Sequence, residues 1–262
     1  MPELPEVETL CRQLDQVVAG EKILRVEILD SLLPQAPELA GREFLAVRRR
    51  GKFIDLILDG GLTATLHLRM TGRLLYLPER MSPPFPAHSR LAIYFTKGTL
   101  LLIDPRRFGT FCVRQEGEKA PARANDPLKG IPACTLWEIS RKRQMPVKSF
   151  LLDQHAIAGI GNIYACEILF AAEIDPRRSA SAVTLREWGR VRKAAAAILS
   201  RAVECRGTTV SDWRDLFGKS GTNQENLDVY SREGAVCHRC GGTIERIKLG
   251  GRGTWFCPAC QK

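Results

Sequence analysis

The sequence predicts an α+β protein of several domains, with an antiparallel β-sandwich, a helical domain and a C-terminal zinc-binding β-hairpin. Three observations predict this fold class. From about residue 22 to residue 115, apolar residues recur with a period of two, as in half-buried strands. Helical spacing and capping signals then replace that period. Two Cys-x2-Cys pairs, sixteen residues apart, end the chain with the spacing of a four-thiolate zinc site.

The chain has 262 residues, enough for one large or two moderate domains, and a formal net charge of +10. This charge favours a polyanionic partner, although a basic surface also serves solubility. No apolar run approaches the length of a membrane span, and the first twenty residues are too acidic for a signal peptide. We therefore expect a cytoplasmic protein. Five cysteines without paired spacing are expected to be small buried residues in a reducing compartment: Cys11, Cys112, Cys134, Cys166 and Cys205.

The first domain is predicted to begin with a helix. Residues 5–18 place their apolar side chains on one helix face, and Pro5 suits the first turn. Residues 62–70 alternate apolar and polar side chains and predict a half-buried strand, while residues 59–61 predict a hairpin turn. The proline-rich stretch 78–86 is a loop. Successive strands connected in this way form an antiparallel sandwich or barrel.

The second domain is predicted to be helical. Residues 184–187 form a capping box that opens a long helix ending near Cys205. Two shorter helices between residues 146 and 172 flank a glycine-rich turn at 159–161. We reject a dinucleotide site, because residue 164 is Tyr and no β-α-β unit surrounds the turn. A turn that leads into a helix N-terminus suits a phosphate instead, since free N–H groups favour anions.

These signals divide the chain into four segments. We predict the β-sandwich at residues 1–118, a polar linker at 119–130, the helical domain at 131–225 and the zinc-finger hairpin at 226–262. Residues 232–262 contain six Arg or Lys against two Glu. A basic zinc hairpin of this kind indicates nucleic acid as the partner.

The two terminal pairs supply four candidate metal ligands: Cys237, Cys240, Cys257 and Cys260. Tetrahedral zinc bound by four thiolates keeps no open position, so we predict one structural Zn²⁺ that does no chemistry. The alternative is two disulfides or two unrelated redox-active pairs.

The N-terminus is the second informative segment. Met1 precedes Pro2, a small residue before which Met is normally removed, and the mature chain would then begin with a secondary amine. Near a helix N-terminus and other cations the protonated form of that amine is disfavoured. A deprotonated amine is a nucleophile towards a sugar C1′ and forms an iminium Schiff base. Glu3 is adjacent and suits a general acid or base.

Segments along the whole chain resemble the formamidopyrimidine-DNA glycosylase and endonuclease VIII family. They are MPELPEVET (1–9), RRRGKF (48–53), HLRMTG (67–72), DPRRFG (104–109), GIGNIYACEILF (159–170) and GRGTWFCPACQ (251–261). The leucine in PELPE points to the formamidopyrimidine branch. The resemblance implies a catalytic β-sandwich, a helix-two-turns-helix DNA-binding domain and a zinc finger. It also implies excision of oxidised purines from double-stranded DNA, followed by β,δ-elimination at the abasic site.

Matched residue by residue, the family implies that Pro2 is the nucleophile and Glu3 its acid/base partner. The match implies that Lys52 contacts the DNA backbone and the lesion site and that Arg252 binds phosphates around the lesion. The alternative for Lys52 is an ordinary cation at the end of a strand. His67, Lys148 and Asn162 match contacts to the DNA backbone, while Met70, Arg106 and Phe108 match residues that fill the gap left by a flipped nucleotide. Core packing is the alternative for Met70 and Phe108.

One departure concerns the loop that covers the flipped base in the family. An aromatic pair is common there in the purine branch, but this chain has Thr222 and Asn223. The strand predicted to follow, with Leu227, Val229 and Tyr230, is intact. An oxidised-pyrimidine glycosylase is therefore the first alternative. A non-catalytic zinc-hairpin DNA-binding protein and an abasic-site lyase without base excision are the others. From the family we expect a monomer acting on the bacterial nucleoid.

Overall fold

The structure, a computed structural model, describes residues 1–118 and 125–262. The chain divides into two compact units, Met1–Pro121 with Cys205–Thr222, and Ala122–Glu204 with Asn223–Lys262. Half of the predicted linker, residues 119–124, lies outside the described residues. Among the helices that the structure does describe, none has the length and apolar character needed to cross a membrane.

The first unit is the predicted antiparallel sandwich with an N-terminal helix. The helix α1 spans Leu4–Val18 with Pro5 in its first turn, as predicted. Eight strands follow in two sheets, in the orders β1-β6-β7-β5 and β2-β3-β4-β8. The strands are β1 Ile23–Ile28, β2 Phe44–Arg50, β3 Phe53–Leu58, β4 Leu62–His67, β5 Arg73–Leu77, β6 Ser89–Phe95, β7 Thr99–Ile103 and β8 Thr110–Gln115. Apolar residues of α1 and of both sheets form one buried core, which includes Leu10, Leu14, Ile54, Leu66 and Ile93.

The prediction of a half-buried strand over 62–70 was wrong in two respects. The strand ends at His67, and the residues beyond it form a turn. Its polar residues Thr65 and His67 are also buried, and Thr65 takes part in a polar network with neighbouring strands. The Thr65 hydroxyl donates to Asp55 at 2.6 Å, and the guanidinium of Arg114 donates to Thr65 at 2.7 Å.

Residues 205–222 belong to the first unit, a return that the sequence patterns did not indicate. Three contacts join this segment to the sandwich. The Thr208 N–H donates to Glu6 at 2.8 Å, the Leu216 N–H donates to Gln13 at 3.0 Å, and the Tyr76 N–H donates to the Leu216 carbonyl at 2.9 Å. The predicted four-part division therefore stays a prediction, since the compact units follow different bounds.

The second unit contains four helices and the terminal hairpin among its described residues. They are α2 Ala133–Ser140, α3 Val147–Leu152, α4 Asn162–Ala171, α5 Leu185–Glu204, β9 Glu245–Leu249 and β10 Arg252–Phe256. The capping box is present, because the Thr184 N–H donates to Glu187 at 2.8 Å and the Glu187 N–H donates to the Thr184 hydroxyl at 3.3 Å.

The predicted strand at residues 227–232 is absent from the described second unit, where this stretch forms turns. The buried carboxylate of Glu167 accepts the backbone N–H groups of Asp228, Val229 and Tyr230 at 2.8–3.0 Å. Consecutive N–H groups of a strand point to opposite edges, so a stretch whose three successive N–H groups converge on one carboxylate cannot form a ladder. The expectation that all five unpaired cysteines are buried was also wrong, because Cys112 and Cys134 are exposed.

Candidate functional site

Strand register brings three of the predicted loops to one end of the sandwich. His67, the last residue of β4, pairs with Phe53 at the start of β3 and with Thr110 at the start of β8. The β2–β3 turn, the loop after β4 and the loop before β8 must therefore lie at the same end. The second and third of these loops, residues 68–72 and 104–109, each cross from one sheet to the other.

The N-terminus of α1 points to the same end. Asp15, near the end of α1, accepts the backbone N–H of Val47 at 2.9 Å, while Glu8 near its start binds Arg49 at 2.7 Å. Since α1 runs antiparallel to β2, the residues before the helix, Pro2 and Glu3, lie towards the β2–β3 turn. The Glu3 side chain is buried, and its backbone N–H donates to Glu6 at 2.8 Å.

Lys52 and His67 are both buried at this end. Their positions, Lys52 at a turn and His67 on the polar face of a strand, would have suggested exposed side chains. Gly51, with a φ of 63°, allows the two-residue turn that carries Lys52. Burial, together with the charges of Arg69 and Lys52, lowers the pKa of His67 to about 4. Its Nδ1 accepts the Arg69 N–H at 3.0 Å, so the neutral ring carries its proton on Nε2 as a hydrogen-bond donor.

The three predicted gap-filling residues are exposed at the same end. Met70 is 48% exposed and Phe108 is 47% exposed, so the alternative of core packing is wrong for both. The guanidinium of Arg106 lies 4.5 Å from the ring centroid of Phe108, a cation–π contact that holds the two side chains together. Exposed apolar side chains beside a cation suit insertion into a stack of bases.

Sequence reasoning missed the buried charges beneath these loops. Asp104, the first residue of the loop at 104–109, is fully buried and contacts the loop at 68–72, and Arg90 and Asp30 lie behind it. Arg90 donates to Asp30 at 2.5 Å, to Asp104 at 3.4 Å and to the Gly109 carbonyl at 2.7 Å. The available signal was an Asp immediately before Pro in DPRRFG, a residue type that often organises a following turn.

In the second unit, three of the predicted DNA-contacting positions meet around the hairpin. The ammonium of Lys148 donates to Asn162 at 2.6 Å, to the Gly253 carbonyl at 3.1 Å and to the Thr254 hydroxyl at 2.7 Å. Asn162 also donates to the Gly253 carbonyl at 3.0 Å. Arg252 is exposed next to this carbonyl at the start of β10. Lys148 itself is only 1% exposed, so it holds the hairpin tip and leaves Arg252 as the outward cation.

The four terminal cysteines form a site of the size that zinc requires. All four sulfurs lie within 4.8 Å of one another, with Cys237 to Cys260 at 3.9 Å and Cys240 to Cys257 at 3.5 Å. Sulfurs about 2.3 Å from a tetrahedral zinc lie about 3.8 Å apart, whereas a disulfide requires about 2.05 Å. The disulfide alternative is therefore wrong, and the predicted structural zinc site is confirmed. The Gly242 N–H donates to Cys240 at 3.4 Å, and this bond together with hydrogen bonds from the neighbouring cysteines lowers the pKa of the Cys240 thiol to about 7, which favours the thiolate at this ligand.

The fold and these sites define a zinc-finger protein with a β-sandwich, a helical domain and a terminal hairpin. Residues 1–111 match the Formamidopyrimidine-DNA glycosylase N-terminal domain, residues 124–213 the Formamidopyrimidine-DNA glycosylase H2TH domain, and residues 234–262 the Zinc finger found in FPG and IleRS. The chain belongs to the formamidopyrimidine-DNA glycosylase family, and the helical domain is the predicted helix-two-turns-helix domain.

Full-length relatives support this assignment. The chain is 42% identical to the formamidopyrimidine-DNA glycosylase of Moorella thermoacetica, over 95% of each chain. It is 40% identical to that of Pelotomaculum thermopropionicum, over 100% of this chain and 99% of the relative. Among solved structures, a Lactococcus lactis FPG mutant in complex with a Fapy-dG containing DNA matches with a TM-score of 0.91 and 31% identity over 100% of both chains. The L. lactis Fpg bound to an abasic site containing DNA matches equally well over 99% of both.

Proposed function

We propose that this DNA glycosylase of base excision repair is bifunctional and removes oxidised purines, chiefly 8-oxoguanine and formamidopyrimidines, before cutting the strand. The observation that carries the proposal is the position of Pro2. It lies immediately before α1, beside the buried Glu3, at the end of the sandwich that also holds Lys52 and the exposed loops. A secondary amine there is next to a carboxyl group and clear of the core.

In the proposed reaction the Pro2 nitrogen, free after removal of Met1, attacks C1′ of a flipped nucleotide. The C1′–N bond breaks and the base leaves with its electron pair, which gives an aminal at C1′. The C1′–O4′ bond then opens to leave an iminium between Pro2 and C1′, and Glu3 transfers the proton that the departing base or the ring oxygen needs. The resulting iminium acidifies C2′, so loss of that proton expels the 3′ phosphate. A second elimination expels the 5′ phosphate, and hydrolysis of the imine frees Pro2.

The remaining site residues bind the DNA around this reaction. Met70, Arg106 and Phe108 fill the gap left by the flipped nucleotide, with Arg106 towards the orphaned base. Lys52, His67 and Arg252 bind phosphates, His67 as a neutral donor. Asn162 contacts the backbone, and Lys148 acts on it by holding the hairpin tip. Such contacts give affinity with no sequence preference.

The relatives and one loop of the chain bear on the substrate class. The L. lactis complexes contain Fapy-dG or abasic-site DNA, which supports the purine branch and abasic sites as ligands. Thr222 and Asn223, in place of the aromatic pair, favour a second candidate, an oxidised-pyrimidine glycosylase with the same mechanism. We propose that the protein acts as a monomer on the bacterial nucleoid, because one chain supplies every site residue and the relatives are bacterial.

Borohydride trapping tests the proposal. Duplexes with one 8-oxoguanine opposite cytosine, one dihydrothymine, one abasic site or no lesion are incubated with the enzyme and reduced. We expect a covalent adduct on 8-oxoguanine DNA that Pro2→Gly abolishes. Trapping mainly on dihydrothymine would move the protein to the pyrimidine branch, and trapping only on abasic DNA would leave a lyase. No adduct on any duplex, with Met1 shown to be removed, would contradict catalysis and leave a DNA-binding protein.

A further inference from the structure

Two exposed loops at the end of the sandwich meet at one buried carboxylate. Asp104 Oδ1 accepts the Thr71 hydroxyl at 2.5 Å and the Arg106 N–H at 3.2 Å. Asp104 Oδ2 accepts the Gly109 N–H at 2.6 Å and the Arg90 guanidinium at 3.4 Å. Thr71 follows Met70 in the first loop, whereas Arg106 and Gly109 flank Phe108 in the second. One carboxylate therefore binds the side chain that follows Met70, the backbone of Arg106 and the backbone that follows Phe108.

The carboxylate is itself held in place. Arg90, only 2% exposed, binds both Asp104 and Asp30, and Arg107 reaches Asp30 from the second loop with a 3.0 Å hydrogen bond from its Nε. The hydrogen bonds from Arg107 and Arg90 hold the pKa of Asp30 well below its usual range. Buried ionic networks of this kind fix geometry when every member is paired. The second loop is thus anchored twice to the sandwich, through Asp104 and through Asp30.

The first loop has fewer anchors among the described contacts. A hydrogen bond from the Gly72 N–H to the Leu68 carbonyl, at 3.0 Å, closes the turn of this loop. The Thr71 hydroxyl links the loop to the second loop through Asp104. Met70 itself is 48% exposed and so gains little positioning from packing. The orientation of Met70 relative to Arg106 therefore depends on the bond between Thr71 and Asp104.

We propose that Asp104 and Thr71 are positioning residues that make Met70 and the Arg106–Phe108 pair enter DNA as one rigid wedge. The inference rests on the proposed function, since it concerns how the same enzyme opens a duplex. It assigns no chemistry to Asp104, which is buried behind the loops. Its consequence is a defect confined to duplex DNA, because single-stranded DNA has no orphaned base and no gap to fill.

The test removes only the bond between the loops. Asp104→Ala would leave Arg90 buried beside a lost partner and endanger the fold, so Thr71→Val is the informative variant and Thr71→Ser its matched control. We expect Thr71→Val to slow single-turnover excision of 8-oxoguanine from a duplex by about tenfold, the size of one hydrogen bond to a charged group. Thr71→Ser, which keeps the hydroxyl, should excise at the wild-type rate. Borohydride trapping on a single-stranded abasic oligonucleotide should be unchanged in both variants.

Two results would overturn the proposal. Equal losses on duplex and single-stranded DNA would make Thr71 a general structural residue, and an unchanged duplex rate in Thr71→Val would show that the loops need no link. A 2-aminopurine beside the orphaned base gives a second readout, because its fluorescence rise should be slower in Thr71→Val and normal in Thr71→Ser. The proposed function and the positioning role are tested by different comparisons. Failure of the wild-type enzyme on every substrate would reject the proposed function. The positioning role is judged only from the rates of the variants relative to an active wild type.

Discussion

The buried, neutral state of His67 makes a quantitative prediction about stability and pH. An unfolded histidine has a pKa of about 6.5, whereas burial and the charges of Arg69 and Lys52 lower the pKa of His67 to about 4. The unfolded chain therefore binds the proton more tightly. The stability linked to this group is fully present above about pH 6.5 and is lost as the pH falls towards 4.

The size of the effect follows from the two pKa values. A shift from about 6.5 to about 4 corresponds to roughly 3 kcal/mol, at 1.36 kcal/mol per unit. About two-thirds of this, roughly 2 kcal/mol, is lost by about pH 5, because His67 is then still neutral in the folded protein and protonated in the unfolded chain. Only 8% of His67 is exposed, so solvent screening reduces the figure little.

Urea unfolding at about pH 7.5 and about pH 5 measures this difference, with His67→Asn as the control. Asparagine keeps an acceptor near the Arg69 N–H but does not titrate, so other groups cancel in the comparison. Wild-type protein should lose about 2 kcal/mol more than the variant between these pH values. Equal losses in the two proteins, or an NMR titration midpoint of His67 near 6.5, would refute the reasoning.

Two further predictions concern the second unit. Cys257→Ser should lose the zinc, unfold the hairpin and abolish DNA binding, because structural zinc in small modules contributes on the order of 10 kcal/mol to folding. Metal analysis and a DNA-binding titration check this, and an unchanged binding curve would contradict it. Lys148→Met should destabilise the unit by about 1–3 kcal/mol, because Asn162 loses a charged donor. It should weaken duplex binding without changing the slope of log K against log salt, whereas a slope reduced by about 0.9 would make Lys148 a direct phosphate contact.

The sequence predicted those parts of the fold that depend on local pattern. The helix at Leu4–Val18, the turn at residues 59–61 and the capped helix from Leu185 follow from apolar spacing, glycine and the Thr184 capping box. The zinc site follows from cysteine spacing alone, because two tight turns joined by a hairpin bring four sulfurs together.

The features that sequence patterns missed depend on contacts between distant segments. Residues 62–67 alternate between apolar and polar side chains as predicted, yet Thr65 and His67 are buried, and Thr65 joins a polar network with Asp55 and Arg114 on neighbouring strands. The return of residues 205–222 to the sandwich depends on Gln13 and Glu6, which lie about two hundred residues away in the chain. Residues 227–232 have the composition of a strand, but the carboxylate of Glu167 takes their N–H groups. Met70 could be assigned to the core or the surface only once the end of β4 was known.

In the proposed reaction the secondary amine of Pro2 forms the bond to C1′. Mass spectrometry of the borohydride-reduced adduct with 8-oxoguanine duplex, digested to peptides, tests this directly. We expect the reduced sugar fragment on the N-terminal peptide, which begins at Pro2 and lacks Met1. Attachment at Lys52 or at any other lysine, or an adduct on a chain that retains Met1, would contradict it.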